Sequence, residues 1–266
     1  MQTNEQLGKE PVIKLLFRLS VPTLMAQLVN LLYNVVDRIY VGRIPGIGPL
    51  ALAGLGVTFP IILLVSAVAM LFGMGGAPRA SIAMGQGDNQ KAEKILGNVT
   101  IMLIIFSIIL AAVFLPTKDW ILLHFGASEN TLPYASEYLG IYLCGTIFVQ
   151  LTLGLNYFIT NQGFTKTSMA TTCIGAVLNI VLDPLFIFVF DMGVSGAALA
   201  TIISQAVSCI WVIYFLTGKK TILKIRLKNL LPDKNIILTI VSLGISPFVM
   251  QATECLIQLT FNNGML

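Results

Sequence analysis

Long apolar stretches separated by short polar segments dominate the sequence. Each stretch is long enough to cross about 30 Å of hydrocarbon as an α-helix, which requires roughly 20 residues. Backbone polar groups inside a bilayer must bond to one another, and a helix achieves this within a single segment. The pattern therefore predicts an all-α, polytopic membrane helical bundle. The predicted spans are 15–41, 52–76, 95–116, 137–160, 168–190, 197–217 and 236–262.

The composition supports the same class. The chain has 266 residues, of which 56% are hydrophobic and only 11% are charged, and its mean hydropathy is +0.87. Soluble domains carry about 25% charged residues. A water-soluble fold could not bury this much apolar surface, so a soluble protein is excluded.

Lysine and arginine are distributed unevenly over the two sides of the predicted bundle. With the N-terminus inside, thirteen of the 16 lie on the inner side and three on the outer side. This bias predicts a multi-pass protein of the cell membrane with a cytoplasmic N-terminus. No basic segment is interleaved with aromatic residues, so we expect no nucleic-acid partner. The inner set is Lys9, Lys14, Arg18, Arg79, Lys91, Lys94, Lys166, Lys219, Lys220, Lys224, Arg226, Lys228 and Lys234. The outer set is Arg38, Arg43 and Lys118.

The longest and most basic inner segment divides the chain. We interpret 1–217 as an N-terminal six-helix transmembrane lobe, 218–235 as a cytoplasmic linker and 236–266 as the truncated start of a second lobe. The seventh span contains ISPFVMQATECLIQ and the first contains SVPTLMAQLVNLLYN. One alignment of these segments matches their Pro and Met residues, and a second alignment, shifted by one residue, matches their polar residues. Many transporters are built from internal repeats, and this similarity suggests that a second copy begins here.

The linker carries leucines at helical spacing between its basic residues. A short amphipathic helix on the anionic inner leaflet fits this pattern. A positively charged topology anchor with no further role fits it equally well, and both interpretations stay open. The leucines are Leu223, Leu227, Leu230 and Leu231.

A polar stripe follows one face of the first predicted helix and ends in a carboxylate. Its spacing of four, three, four and three residues keeps all members on that face. The stripe cannot face lipid, so it faces protein or a water-filled cavity. Helix–helix hydrogen bonding explains the amides, and a local pair at the outer interface is an alternative for Asp37, but we favour a functional role for this acid. The stripe is Thr23, Gln27, Asn30, Asn34 and Asp37, with Tyr33 beside it.

The fifth span carries a second buried acid in the segment VLNIVLDPLFIF. Asn179 and Asp183 are four residues apart and share a helix face. Pro184 removes one backbone hydrogen bond and so frees a carbonyl about one turn earlier. Such an oxygen-rich cluster suits a hard cation such as Na⁺, and a carboxylic acid in apolar surroundings can instead hold a proton. A kinked helix with a capped carbonyl explains the proline but not the acid.

Two further spans add polar residues. The sixth is an antiparallel neighbour of the fifth because their connection is short, and Thr201 returns to a depth similar to that of Asp183. Ser204, Gln205 and Ser208 continue its stripe. The fourth span adds Gln150 and Tyr157 to the predicted cavity lining, although such residues also serve as helix-packing contacts.

Enzyme signatures are missing from the sequence. His124 is the only histidine, and no P-loop, nucleophile elbow or HExxH motif occurs. The four cysteines lie in predicted spans without a CxxC pair, as expected for small packing residues. We therefore expect no enzymatic activity and no cofactor, and energy for any transport would come from an ion gradient.

With these residues in view, the chain resembles the first lobe of the multidrug and toxic compound extrusion (MATE) family of cation-coupled antiporters. The resemblance covers residues 10–262. It is carried by a P-x(14)-D-x(4)-G pattern from Pro22 through Asp37 to Gly42, and by the segments LFGMGGAPRASIAMGQGD, LNIVLDPLFIF and GVSGAALATIISQ. No single piece would suffice, but their combination is specific.

The resemblance implies two six-helix lobes around a central cavity that opens alternately to either side. It implies that Asp37, Asn179, Asp183 and Thr201 match the first-lobe cation site, where Na⁺ or H⁺ binds from outside and drives outward drug release. The implied partners are small-molecule drugs or organic cations and the lipid bilayer. The ion and the drug would have to compete or to bind different states.

The resemblance also exposes a departure, since the family carries twelve helices and this sequence ends at Leu266. We expect either a fragment or a chain that pairs with a partner supplying the second lobe. One alternative is a flippase for lipid-linked oligosaccharides, which would favour cationic residues in the cavity to meet pyrophosphate. Another is a channel or structural subunit built from six-helix units.

Overall fold

The computed structural model describes residues 11–264. Residues 1–10, which include Lys9, and residues 265–266 lie outside this range. They belong to the predicted first and last segments of the chain. Within the described range the structure consists of helices and connecting loops without a β-strand. The helices are α1 (Val12–Gly42), α2 (Gly48–Gly85), α3 (Asn89–His124), α4 (Leu132–Cys144), α5 (Thr146–Asn161), α6 (Thr165–Pro184, continued by a π-helical turn, Leu185–Val189), α7 (Gly193–Thr217) and α8 (Lys234–Gly264).

Six helices in the described range are individually long and apolar enough to span a bilayer. The bent pair α4 and α5 is also apolar enough, and counting it as one broken span brings the number of candidate spans to seven. The predicted all-α membrane bundle is confirmed. Several helices run beyond the predicted apolar spans, and a polar cap is present at the start of α3. There the Asp88 carboxylate accepts from the backbone N–H of Lys91 over 2.9 Å.

The fourth span departs from the prediction of one continuous helix. The chain bends by 59° between α4 and α5, with Gly145 at the break. Ile202 of α7 packs so closely against this glycine that an added Cβ would collide with its side chain. Hydropathy could not reveal the break because both halves are equally apolar.

Residues 218–233, which we call the strap, contain only a short 3-10 turn at Leu227–Asn229. The predicted amphipathic helix is therefore wrong. The strap is instead held to the bundle by Gln162, whose Oε1 accepts from Thr221 Oγ1 and from the backbone N–H groups of Ile222 and Leu223 over 2.9–3.0 Å. Leu223 is fully buried as an anchor, which shows that the helical spacing of the leucines was coincidental.

The second half of the strap is held by α3. Asn98 Oδ1 accepts from the backbone N–H of Asp233 over 2.7 Å. Arg226 forms an ion pair with Glu93 at 2.8 Å. The strap thus follows the ends of α3 and α5 before the chain enters α8.

Helix α8 packs along α2, with two glycines at the closest approach. A Cβ added to Gly244 would collide with the carbonyl oxygen of Leu71, and one added to Gly75 would collide with that of Ile240. Small residues permit such close backbone contact between helices in a membrane. Behind this crossing, Phe72, from α2, is buried in the apolar core. The division into two lobes stays a prediction.

Candidate functional site

The candidate site lies where α1 packs against α6 and α6 packs against α7. The opposite face of α1 exposes leucines, including Leu28 and Leu32, as expected of a lipid-facing surface. The polar stripe of α1 therefore turns inward. Its facing surface is the polar side of α6 and α7, so the three helices bring together the residues that the sequence singled out.

Asn179 lies between Asp183 and Thr201. Its Nδ2 donates to Asp183 Oδ1 over 3.1 Å and approaches Thr201 Oγ1 at 3.4 Å. The Thr201 hydroxyl donates to the carbonyl of Ala197 over 3.0 Å, so its oxygen stays available as an acceptor. Both Asn179 and Asp183 are buried. The amide thus sets the positions of a carboxylate and a hydroxyl on neighbouring helices.

Asp37 approaches this group from α1. Its carboxyl group and that of Asp183 lie close enough to interact directly. Arg38, the next residue, places its guanidinium 5.3 Å from the centre of the Phe59 ring. Hence the positive charge beside Asp37 in sequence lies against an aromatic ring, and the acid faces the second acid.

Three oxygens of this cluster have no hydrogen-bond partner among the described residues: Asp37 Oδ1, Asn179 Oδ1 and Asp183 Oδ2. A buried acceptor without a donor costs roughly 1–3 kcal/mol, and a bound cation or proton would satisfy it. In the part of the chain that the structure describes, no three His, Cys, Asp or Glu side chains lie close enough together to hold a metal ion. The donor set is therefore two carboxylates, an amide and a hydroxyl, which are hard oxygen ligands.

Tyr138 of α4 is a neighbour of this cluster that the sequence reasoning missed. It is buried, close to the Thr201 hydroxyl and within electrostatic reach of the Asp37 carboxyl. A tyrosine within an apolar span needs a partner for its hydroxyl, and that requirement was the signal available in the sequence. The break at Gly145 concealed this position. Helical periodicity carried through the whole fourth span gives a wrong orientation of the residues before Gly145 relative to those after it.

A cavity of about 220 Å³ adjoins the cluster between α1, α5, α6 and α7. Its lining is neutral, and Asn156 Oδ1 and Gln205 Oε1 within it are buried without a donor from the described residues. The lining includes Gln27, Asn30, Tyr33, Tyr157, Asn179 and Thr201 from the predicted residues. It also includes Thr152, Asn156 and Ser168, which the sequence reasoning did not select.

Two predicted lining residues lie elsewhere. Asn34 donates to the carbonyl of Asn30 in its own helix over 2.7 Å and does not contribute to the cavity wall. Gln150 is fully buried and donates to the carbonyl of Val65 over 2.8 Å. Gln150 therefore joins α5 to α2, the packing role that had been its alternative interpretation.

Comparison with known proteins gives consistent matches. The MatE family profile matches residues 22–185. Multidrug export protein MepA of Staphylococcus aureus (strain NCTC 8325 / PS 47) is 28% identical over 247 residues, which cover 91% of this chain and 53% of MepA. The chain thus spans about half the length of the curated relatives that it matches.

Solved structures give the same result. A multidrug resistance MATE family transporter of the MOP superfamily, in an outward-facing conformation, has a TM-score of 0.86 and 29% identity, covering 94% of this chain and 55% of that one. An inward-facing conformation of such a transporter has a TM-score of 0.81 and 27% identity, covering 92% and 55%. The bundle is therefore more similar to the outward-facing arrangement.

Proposed function

Since this chain belongs to the MatE family, we propose that it forms the first lobe of a secondary active multidrug efflux transporter that exchanges drugs or organic cations for Na⁺ or H⁺. In this proposal Asp37, Asn179, Asp183 and Thr201 hold the coupling ion. The ion is a transported substrate, and the gradient across the membrane supplies the energy. The matched relatives support multidrug efflux, whereas the assignment of these four residues to the coupling ion is our own.

The observation that carries the proposal is the group of unpartnered oxygens around Asn179. Two acids face each other in a membrane-spanning bundle, where an uncompensated charge is costly. A cation between them would offset that cost, and so would a proton on one of them. Helix packing alone would be served by amides, so the pair of acids favours ion binding.

The neighbouring cavity supports a role in drug binding. Its lining contains neutral polar and apolar side chains without a lysine or arginine, which favours neutral or cationic compounds over a pyrophosphate-linked lipid. A drug-sized ligand occupies roughly 300–1,000 Å³, more than this cavity offers. We propose that the cavity is one wall of a larger drug site, and that ion binding at its end changes the wall.

The distribution of charge supports a cytoplasmic N-terminus in the cell membrane. The loops 86–88 and 162–164 and the strap lie at one end of the bundle, and the loops 43–47 and 125–131 at the other. Lysine and arginine concentrate at the first end, which the positive-inside rule assigns to the cytoplasm.

Efflux measurements test the proposal in the native protein that carries this sequence. Asp37→Asn and Asp183→Asn should each abolish ethidium efflux from cells, because the amide cannot bind the ion with a negative charge. Asp119→Asn, at an exposed acid at the end of α3, is the matched control and should retain efflux. Normal efflux by either site variant at equal membrane abundance would overturn the proposed ion site.

A further inference from the structure

Two leucines in the second half of the strap are unusually exposed. Leu227 is 86% exposed and Leu231 is 78% exposed, the two highest values among the large hydrophobic side chains that the structure describes. A single exposed leucine is ordinary on a protein surface. Here one leucine begins the turn Leu227–Asn229 and the other follows it by two residues, in a segment that is otherwise fastened to the bundle. This arrangement favours an apolar partner.

The strap cannot hide these leucines by folding back. The hydrogen bond from Asp233 to Asn98 and the ion pair of Arg226 with Glu93 fix both sides of the turn. Between them, the carbonyl of Asn229 lies directly against Gly97, where any added Cβ would collide with it. The direction in which the leucines point is thus set by the docked backbone.

The strap joins two helix ends that carry exposed side chains. Near the end of α7, Tyr214 is 71% exposed, and tyrosines are enriched at the membrane–water boundary. One turn into α8, Leu238 is 69% exposed. The exposed leucines of the strap lie between these two positions in the chain, in the segment that connects two candidate membrane spans, Gly193–Thr217 and Lys234–Thr260. The strap is therefore close to the membrane–water boundary.

The charges around the leucines are predominantly basic. Asp233 is the only acid of the strap, and its Oδ1 accepts from the backbone N–H of Asn235 over 2.9 Å. Basic side chains beside apolar ones are the combination that binds an anionic lipid surface. The basic residues are Lys219, Lys220, Lys224, Arg226 and Lys228, followed by Lys234.

We propose that the strap is a binding surface for anionic phospholipid of the inner leaflet. Leu227 and Leu231 enter the boundary between head groups and acyl chains, and Lys224 and Lys228 contact lipid phosphates. The strap would then hold the cytoplasmic end of the bundle at a fixed depth. Its assignment to the inner leaflet rests on the orientation proposed above, whereas the contact with anionic lipid does not.

A photo-crosslinking experiment tests this directly. p-Benzoylphenylalanine is introduced at position 227, or in a second variant at 231, and the purified protein is placed in nanodiscs of phosphatidylcholine with 30% phosphatidylglycerol. Both leaflets of a nanodisc have the same composition, so the result is independent of orientation and of transport. Mass spectrometry after illumination identifies the adducts. Leu238, exposed one turn into α8, is the matched leucine control, and Gln90, exposed at the start of α3, is the aqueous control.

The expected result is lipid adducts at 227 or 231 with a phosphatidylglycerol share at least threefold above that at 238. The double variant Lys224→Gln, Lys228→Gln should reduce that excess to the level at 238. These lysines have no ion pair among the described residues, so folding should not depend on them. Three results would each overturn the proposal: lipid adducts without the phosphatidylglycerol excess, probes quenched by water as at Gln90, and cross-links to protein. The last result would indicate a protein partner.

Discussion

The side-chain amide of Asn179 donates to the Asp183 carboxylate over 3.1 Å, one turn along the same helix. The same amide group approaches Thr201 of the next helix at 3.4 Å. A single residue thus sets the geometry of an acid and a hydroxyl on two elements. This makes Asn179 the residue whose removal should disturb ion binding without removing a charge.

Replacing Asn179 by Ala should weaken cation coupling by about tenfold or more. The substitution removes one ligand oxygen and the donor that positions Asp183, and a lost hydrogen bond to a charged group corresponds to about 1.5–3 kcal/mol. The measurement is the cation concentration that gives half-maximal drug transport. Asn235→Ala, at the exposed start of α8, is the control, and an unchanged half-maximal concentration for the Asn179 variant would refute its role.

Replacing Gln205 by Leu should weaken the binding of drugs that donate hydrogen bonds. Gln205 Oε1 is buried at the cavity and has no partner within residues 11–264, so it can accept from a ligand. Loss of that acceptor should reduce affinity by roughly 2–10-fold, about 0.5–1.5 kcal/mol, whereas a compound without donors should bind as before. The measurement is equilibrium binding of two dyes to the purified protein, one that donates hydrogen bonds and one that does not. Equal effects on both dyes would contradict the role of the oxygen.

Replacing Gln162 by Ala should loosen the strap. Two buried backbone N–H groups, of Ile222 and Leu223, lose their acceptor. Trypsin cleavage after Lys219 and Lys224 should accelerate roughly tenfold, equivalent to about 1.4 kcal/mol of local opening free energy. Gln90→Ala is the control on an exposed glutamine. Cleavage at the wild-type rate would show that the strap is held chiefly by its contacts with α3.

Replacing Gly244 by Ala should separate α8 from α2. The new methyl group would meet the backbone carbonyl of Leu71, which cannot move aside as a side chain would, and overpacking costs roughly 1–3 kcal/mol. The melting temperature of the purified protein should fall. Gly56→Ala in α2 is the control because a Cβ there meets open space. Equal melting temperatures for the two variants would contradict the close crossing.

The hydropathy pattern was sufficient to predict the all-α membrane fold, because apolar length is a local property of the sequence. The polar periodicity also selected Asp37 and Asp183, which the structure places side by side. Both inferences needed only the spacing of residues within one helix. Neither required knowledge of which helices pack together.

Other features depend on contacts between distant parts of the chain and left no local pattern. The break at Gly145 lies against Ile202 of another helix, and the docked strap is bonded to the distant Gln162. The polar residue Gln150 could not be distinguished from a cavity residue by its type. Only its partner, the carbonyl of Val65, reveals a packing role.

The most direct test of the central claim is gradient-driven drug transport in proteoliposomes containing the native protein that carries this sequence. A Na⁺ gradient and a proton gradient are applied separately to the wild type and to Asp183→Asn. The account predicts that at least one gradient drives transport in the wild type, and that the variant loses this transport while still binding drug. Gradient-driven transport that persists in Asp183→Asn would contradict the account, because the coupling ion would then bind elsewhere.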